Sequence, residues 1–437
     1  MGRRKINPPL NVYLNGRFVG KLNRQTSGAI DFKYDHSWLE WSNSMAISFS
    51  LPLREERYIG EPVMAVFENL LPDNDIIRRK ISESIHAGGI DAFTLLSAVG
   101  RDCVGALQFL PEGVDPGPSG VVKGDPIDDS EISHMLRNLA TSPLGLSEGD
   151  DFRISLAGAQ EKTALLFFNG RWHKPLGSTA TTHILKPQIG QLPNGIDLSE
   201  SVENEFLCLK LTKELGLPSA DVEMIPFGGR KVLVVTRFDR LWTSDGRLLR
   251  LPQEDCCQAL GVPPTRKYES DHGPGIKDLL SLLKASNNPE DDQKMFLKTM
   301  IVFWLIGATD GHAKNFSLHL KPGGGFRLTP LYDVISAQPS VDRGQIQKNK
   351  MKLAMAVGKS RHYVVSTIVP HHFLETAELA SIDKSLVEQS FEDILLKADK
   401  AIKNVKVSLP NGFPAHILGS ILEGFEKRLK ILHQSLP

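Results

Sequence analysis

Apolar and polar residues alternate from Asn11 to Leu22 on either side of Asn15-Gly16, the dipeptide that most favours a two-residue hairpin turn. This period-two pattern predicts a small β-rich module at the start of the chain. Met45 to Leu53 (M-A-I-S-F-S-L-P-L) reads as a further strand. From Val63 to Ile85 the apolar spacing turns helical, with a break at Pro72 in N-L-L-P-D. Ala92 to Val99 reads as a short helix and Val104 to Leu110 as a strand. The run 111–126, P-E-G-V-D-P-G-P-S-G-V-V-K-G-D-P, is too dense in proline and glycine for either element and marks a domain boundary.

Past that boundary, Glu131 to Leu139 is a helix, Phe152 to Phe168 a strand, loop and strand, and Thr182 to Lys186 a strand stopped by Pro187. Ser199 to Leu215 is amphipathic, with Val202, Phe206 and Leu209 on one face and Gly216 ending it. Lys231 to Thr236 is a buried strand followed by R-F-D-R. Helices then dominate, over 276–286, 291–306, 385–404 and 415–434. There is no internal repeat. The pattern predicts an α+β chain in three parts: a β-rich module at 1–115, an α+β lobe at 127–265 and a helical lobe at 266–437.

Composition narrows the classes. At 437 residues, 41% hydrophobic and 23% charged, the chain can bury sizeable cores. Lys plus Arg and Asp plus Glu both number 51, so no global basic field draws it to nucleic acid or an anionic membrane. Any contact with DNA falls to a partner or a local patch. No apolar run approaches the ~20 residues of a membrane span. M-G-R-R-K is followed by no apolar stretch, which argues against a secretory signal, and Ile6 argues against myristoylation. Four cysteines make neither a disulfide framework nor a zinc spacing. The expected compartment is cytoplasmic.

The most apolar run, Met300 to Ile306, reads as the buried end of a helix that Gly307 terminates. It would hold the loop A-T-D-G-H-A-K-N (308–315) on a rigid stem. Asp310 and Asn315 stand five residues apart, the spacing of a proton-accepting Asp and a metal-binding Asn in protein kinases. Asp333 in L-Y-D-V-I-S is the candidate second metal ligand. Phe316 to Leu320 and Phe326 to Thr329 flank K-P-G-G-G, a hairpin that would return Asp333 to the loop. Oxygen donors of this kind suit Mg²⁺. Each residue alone reads as a helix cap or turn; the combination favours phosphoryl transfer. Lys186, at a strand end, can reach α- and β-phosphates, with Glu205 preferred to Glu203 as its carboxylate partner. S-L-A-G-A-Q-E-K (155–162) reads equally as an anion-binding nest or a plain β-turn.

Other motifs fail on context. G-L-S-E-G (145–149) lacks the strand and helix of a nucleophile elbow. G-K-S at 358–360 has Leu353 where a phosphate loop needs its first glycine. His312 beside Asp310 has no further ligand at helical spacing. Lys397, Lys400, Lys403 and Lys406 make a solvated helix face diluted by Glu392 and Asp399.

The stretches D-F-R-I-S-L-A-G-A-Q-E-K-T-A-L (151–165), T-T-H-I-L-K (181–186), R-F-D-R (237–240), L-P-Q-E-D (251–255), G-P-G-I (273–276), I-G-A-T-D-G-H-A-K-N-F-S (306–317) and L-T-P-L-Y-D-V-I-S-A (328–337) resemble the HipA family of serine/threonine kinase toxins. N-L-L-P-D (69–73) and G-R-D-C-V-G-A-L (100–107) resemble its N-terminal module. The resemblance implies a two-lobed, protein-kinase-like fold with an extra N-terminal β-rich subdomain and an α-helical C-lobe. It makes Asp310 the catalytic base, gives Asn315 and Asp333 to Mg²⁺ and Lys186 to the nucleotide phosphates. It lines the ATP site with Ala157, Gly158, Ala159, Gln160, Glu161, Lys162, Thr236, Arg237, Phe238, His312, Tyr332, Asp333, Val334 and Ile335. It implies autophosphorylation at Ser155, a HipB-like helix-turn-helix antitoxin dimer carrying most of the affinity for operator DNA, a protein substrate such as glutamyl-tRNA synthetase, and association with the nucleoid in that complex. A small-molecule phosphotransferase and a non-enzymatic co-repressor are the alternatives.

Overall fold

The computed structural model describes residues 8–146 and 151–435. The opening M-G-R-R-K and Ser147 of G-L-S-E-G lie outside them.

The N-terminal module is a five-stranded antiparallel sheet in the order Tyr58–Ile59, Ile30–Tyr34, Arg17–Arg24, Leu10–Leu14, Leu107–Pro111. Its first hairpin turns where predicted. Asn15 and Gly16 both have positive φ, at 48° and 78°, as a turn that follows the right-handed strand twist requires. Helices Glu61–Glu68, Asp75–Ser84 and Ala92–Val99 complete the module. Phe67 sits between Phe32 and Phe109, with ring centroids 5.8 and 5.5 Å away. The predicted helix break holds: Pro72 falls between the first two helices, and Asn74 caps the second by accepting from Ile76 N at 2.8 Å.

Met45 to Leu53 is not the expected strand; it makes only an isolated bridge between Ser48 and Leu51. Its polar groups bond elsewhere. Phe49 N donates to Glu254 Oε1 at 2.7 Å, Ser48 Oγ to Glu254 Oε2 at 2.5 Å, and Ser50 Oγ to Gln258 O at 2.8 Å. Ile47 N and Leu51 O are likewise paired with Tyr34 Oη, at 2.9 and 2.6 Å, so the segment's backbone bonds to side chains rather than to a neighbouring strand.

The second sheet has six antiparallel strands in the order Val222–Phe227, Arg230–Thr236, His183–Pro187, Thr163–Phe168, Arg171–Pro175, Gly124–Pro126. Of the expected strand, loop and strand at 152–168, only the second strand forms. Ser155 N donates instead to Asp102 O at 2.9 Å, tying that stretch to the N-terminal module. The Ser201–Glu214 helix lies between this sheet and the Ser385–Ser408 helix. It is therefore buried on its polar side as well, Glu203 and Glu205 included.

The remaining lobe is built on Pro289–Ile306, Ser385–Ser408 and Ala415–Gln434, with Trp304 fully buried. It also holds an unpredicted helix, Pro370–Leu379, and a hairpin, Lys352–Val357 with His362–Val364. Gly307 takes φ 69° and donates to Phe303 O and Trp304 O, the left-handed stop expected after the apolar run. No helix among the described residues is long and apolar enough to cross a membrane. The four cysteines are free and buried.

Candidate active site

The two lobes and the N-terminal module enclose a cleft of about 420 Å³. Its floor is the loop after Gly307. Ala308 N donates back to Phe303 O at 2.9 Å and Ala308 bridges Ser336, so the loop starts from a fixed point. Asn315 Nδ2 donates to Asp310 O at 2.7 Å, which occupies the amide nitrogen and leaves Oδ1 for a cation. The chain then runs into Ser317–Leu320 and returns along Phe326–Leu328, Leu318 facing Leu328. Five residues beyond that strand stands Asp333, at φ 57°. A non-glycine residue held in the left-handed region carries strain that surrounding structure must maintain.

Lys186 reaches the same point from the second sheet. Its Nζ lies 2.7 Å from Glu205 Oε1 and 2.9 Å from Asp333 Oδ1. Burial works against the ammonium, but Asp333 and Glu205 outweigh it and raise its pKa. Burial likewise opposes the Asp333 carboxylate, yet Lys186 and Lys162 pull its pKa well below the usual range. Both therefore carry full charge at neutral pH. Glu203 is taken up elsewhere, by Lys231 and Gln188 at 2.7 Å each.

Asp310 accepts from Tyr268 Oη at 2.5 Å. More than half of its side chain (58%) opens to the cleft. The walls still desolvate it enough to push its pKa up, against the opposing pull of the Tyr268 bond. His312 is buried beside it, its ring edge-on to Tyr268 at 4.8 Å. Burial, helped by Lys267, takes the His312 pKa down to about 3, so the ring is neutral. Its Nδ1 has no hydrogen-bond partner among the described residues.

Residues 157–162 form one wall. Gly158 has φ 101°, and a Cβ there would meet Lys162 Nζ at 2.7 Å, so glycine is what lets the lysine fold over the turn. Lys162 donates to Ala157 O at 2.7 Å. Burial and then the nearby Lys186 lower its pKa to about 8. A desolvated ammonium with no carboxylate paired to it among the described residues is well matched to an anionic ligand.

Of the residues expected around ATP, all but two line the cleft. Glu161 is exposed on the far side of its turn and Val334 is packed in the core. Arg237 borders the cleft, but its guanidinium is spent on Asp239 (2.7 and 2.9 Å), Thr181 Oγ1 (3.0 Å) and Cys103 O (2.9 Å). Phe238 and Tyr332 lie 5.8 Å apart as an aromatic wall. Ser155 is fully buried, Oγ donating to Leu70 O at 2.8 Å. Sequence reasoning missed Lys267 and Asp73 as cleft residues and Tyr268 as the donor to Asp310. Asp73 alone carried a signal, as the last residue of N-L-L-P-D.

Three comparisons bear on this geometry. Residues 154–402 match the HipA-like C-terminal domain, and 10–110 the HipA N-terminal domain. A putative kinase of Sinorhizobium fredii, Y4mE, is 38% identical over 354 residues, spanning 80% of this chain and 81% of that protein. The serine/threonine-protein kinase toxin HipA of Shewanella oneidensis is 28% identical over 440 residues, 96% of each. A solved structure of the Shewanella HipA, HipB and operator DNA complex superposes with a TM-score of 0.80 at 26% identity, covering 97% of this chain and 98% of that one. With both of its modules matched and the kinase-like cleft between them, the chain belongs to the HipA family of kinases.

Proposed function

We propose that the chain is an ATP- and Mg²⁺-dependent protein serine/threonine kinase, the toxin of a toxin–antitoxin pair. The observation that carries this reading is the convergence of Asp310, Asn315, Asp333 and the Lys186–Glu205 pair on one cleft.

Asp310, open to the cleft, accepts the proton of a substrate hydroxyl as it attacks the γ-phosphorus. Lys186, held by its two carboxylates, and Lys162 receive the nucleotide phosphates, and Phe238 and Tyr332 flank the base. Asn315 Oδ1 and the Asp333 carboxylate are hard oxygen donors. No group of three His, Cys, Asp or Glu side chains able to hold a metal exists among the described residues. Two protein oxygens completed by phosphates and water is how Mg²⁺ is commonly held in phosphotransferases. When bound, it neutralises phosphate charge.

The partner is a HipB-like antitoxin that supplies most of the operator affinity, consistent with a chain of zero net charge. The working place is the cytoplasm, at the nucleoid when held by the antitoxin. The target is a protein such as glutamyl-tRNA synthetase, whose loss stalls translation and brings dormancy. Autophosphorylation of Ser155 silences the kinase. A small-molecule phosphotransferase on the same fold would label no protein. The test is phosphoproteomics after expression of the wild type and Asp310→Asn. New phosphoserine or phosphothreonine sites with the wild type alone support the reading, and identical profiles refute it.

A further inference from the structure

Asp73 ends the N-L-L-P-D motif of the N-terminal module, yet its carboxylate lies in the catalytic cleft. Oδ2 accepts from Lys267 Nζ at 2.8 Å, and Oδ1 is paired with Lys314 Nζ. Lys314 directly precedes Asn315. The backbone of the same residue holds the opposite wall: Asp73 N donates to Gly158 O at 3.2 Å, beside a parallel bridge from Pro72 to Gly158. One residue of the N-terminal module thus touches both the 157–162 turn and the loop of Asp310.

The three charged side chains are 10% (Asp73), 15% (Lys267) and 5% (Lys314) exposed. Burying such a triad costs desolvation that well-packed apolar residues would avoid, so stability alone is a poor reason for it. Burial opposes ionisation of Asp73, but Lys314 and Lys267 outweigh it and bring its pKa down to about 2. The carboxylate is a permanent anchor. Without it, two ammonium groups would be loose in a cleft whose open carboxylate is Asp310.

The geometry points to Asp73 as a positioning residue for phosphoryl transfer. It fixes Lys314 and Lys267 between the phosphate-facing turn and the catalytic loop, where they meet the transferring group, and it keeps them from pairing with Asp310. The N-terminal module is therefore part of the active site. This inference rests on the kinase reading above.

The test uses the full chain as wild type, Asp73→Asn, Asp73→Glu and Ser50→Ala. Ser50 joins the same module to the kinase lobe through Gln258 O, at 2.8 Å, and is not itself one of the residues that line the cleft. Single-turnover autophosphorylation at saturating ATP gives the rate, binding of a non-hydrolysable ATP analogue gives the affinity, and thermal melting reports folding. Expected is a rate loss of about 10-fold or more for Asp73→Asn, with analogue affinity within about threefold. Asp73→Glu should recover part of the rate and Ser50→Ala all of it. An Asp73→Asn rate within about twofold of wild type, or a rate loss matched by lost affinity or shared by Ser50→Ala, overturns the inference. Should Asp73→Asn not melt cooperatively, Lys267→Met takes its place, with the same rate loss expected and a rate near wild type overturning it. A wild type that neither modifies itself nor labels any protein in a lysate would refute the kinase reading itself, whereas an active wild type beside an equally active Asp73→Asn refutes only this inference.

Discussion

Lys186 Nζ and Glu205 Oε1 stand 2.7 Å apart, both buried, joining the middle of the second sheet to the helix behind it. The pair holds the ammonium 2.9 Å from Asp333 Oδ1, where the proposed nucleotide phosphates would meet it. Removing one partner of a buried pair leaves the other charge uncompensated, at a cost of about 3–5 kcal/mol. Glu205→Ala should fall at the lower end, about 3 kcal/mol, because Asp333 still faces Lys186. Lys186→Met leaves two carboxylates together and should lose about 10²-fold or more in turnover. Denaturant unfolding and labelled-ATP turnover check the two values.

Ser155 Oγ donates to Leu70 O from a fully buried position. A phosphate of about −1.5 to −2 charge cannot occupy that slot. Phosphorylation should drive the 155–162 segment out of the cleft wall and abolish ATP binding, and unchanged affinity by calorimetry would refute this. Ser155→Ala loses one hydrogen bond, about 1 kcal/mol. It should keep activity on other substrates while losing self-modification.

The parts of this site that were legible in sequence are local. Asp310 and Asn315 share one loop, and Asp333 returns to them through a hairpin whose turn residues announce it. Glu205 and Glu203 are different: two residues apart on a helix they point to different sides, but a helix buried all round hides both. Which of them meets Lys186 depends on how the helix is rotated against the sheet. Met45 to Leu53 misled because an apolar stretch does not say where its backbone finds partners, and here Phe49 and Leu53 stand exposed while Ser48 is buried. Arg237 sits in a recognisable R-F-D-R, yet its guanidinium turns to Asp239 and to residues brought by the N-terminal module. Asp73 illustrates the same limit, since its partners lie 194 and 241 positions away.

Asp102 gathers three arginines. Its Oδ1 lies 2.8 Å from Arg240 Nη2 and 2.9 Å from Arg250 Nε, Arg237 Nη1 is 3.6 Å from its Oδ2, and Thr181 N and Oγ1 donate to Oδ2 at 3.0 and 2.8 Å. Its main-chain oxygen also receives Ser155 N. Asp102→Ala would strand buried guanidiniums and should cost about 3–5 kcal/mol. It should also loosen the segment that holds Ser155. Faster proteolysis between residues 151 and 163, alongside the lowered unfolding midpoint, is the expected signature.

Glu254 receives Phe49 N and Ser48 Oγ at the seam between module and kinase. Burial raises its pKa to about 8 from an ordinary 4.5, outweighing both donors. The folded state therefore holds a proton that the unfolded chain gives up. Its contribution to stability is complete below about pH 4.5 and is lost as pH climbs through about 8. The slope reaches at most about 1.4 kcal/mol per pH unit. Buried Asp255, raised to about 7, adds to the fall in the same direction. Glu254→Gln keeps an acceptor for Phe49 N but cannot ionise. Its unfolding free energy should vary less between pH 5 and 8 than that of the wild type and exceed it at pH 8. Equal slopes for the two proteins in denaturant titrations would show that Glu254 is already ionised in the folded chain.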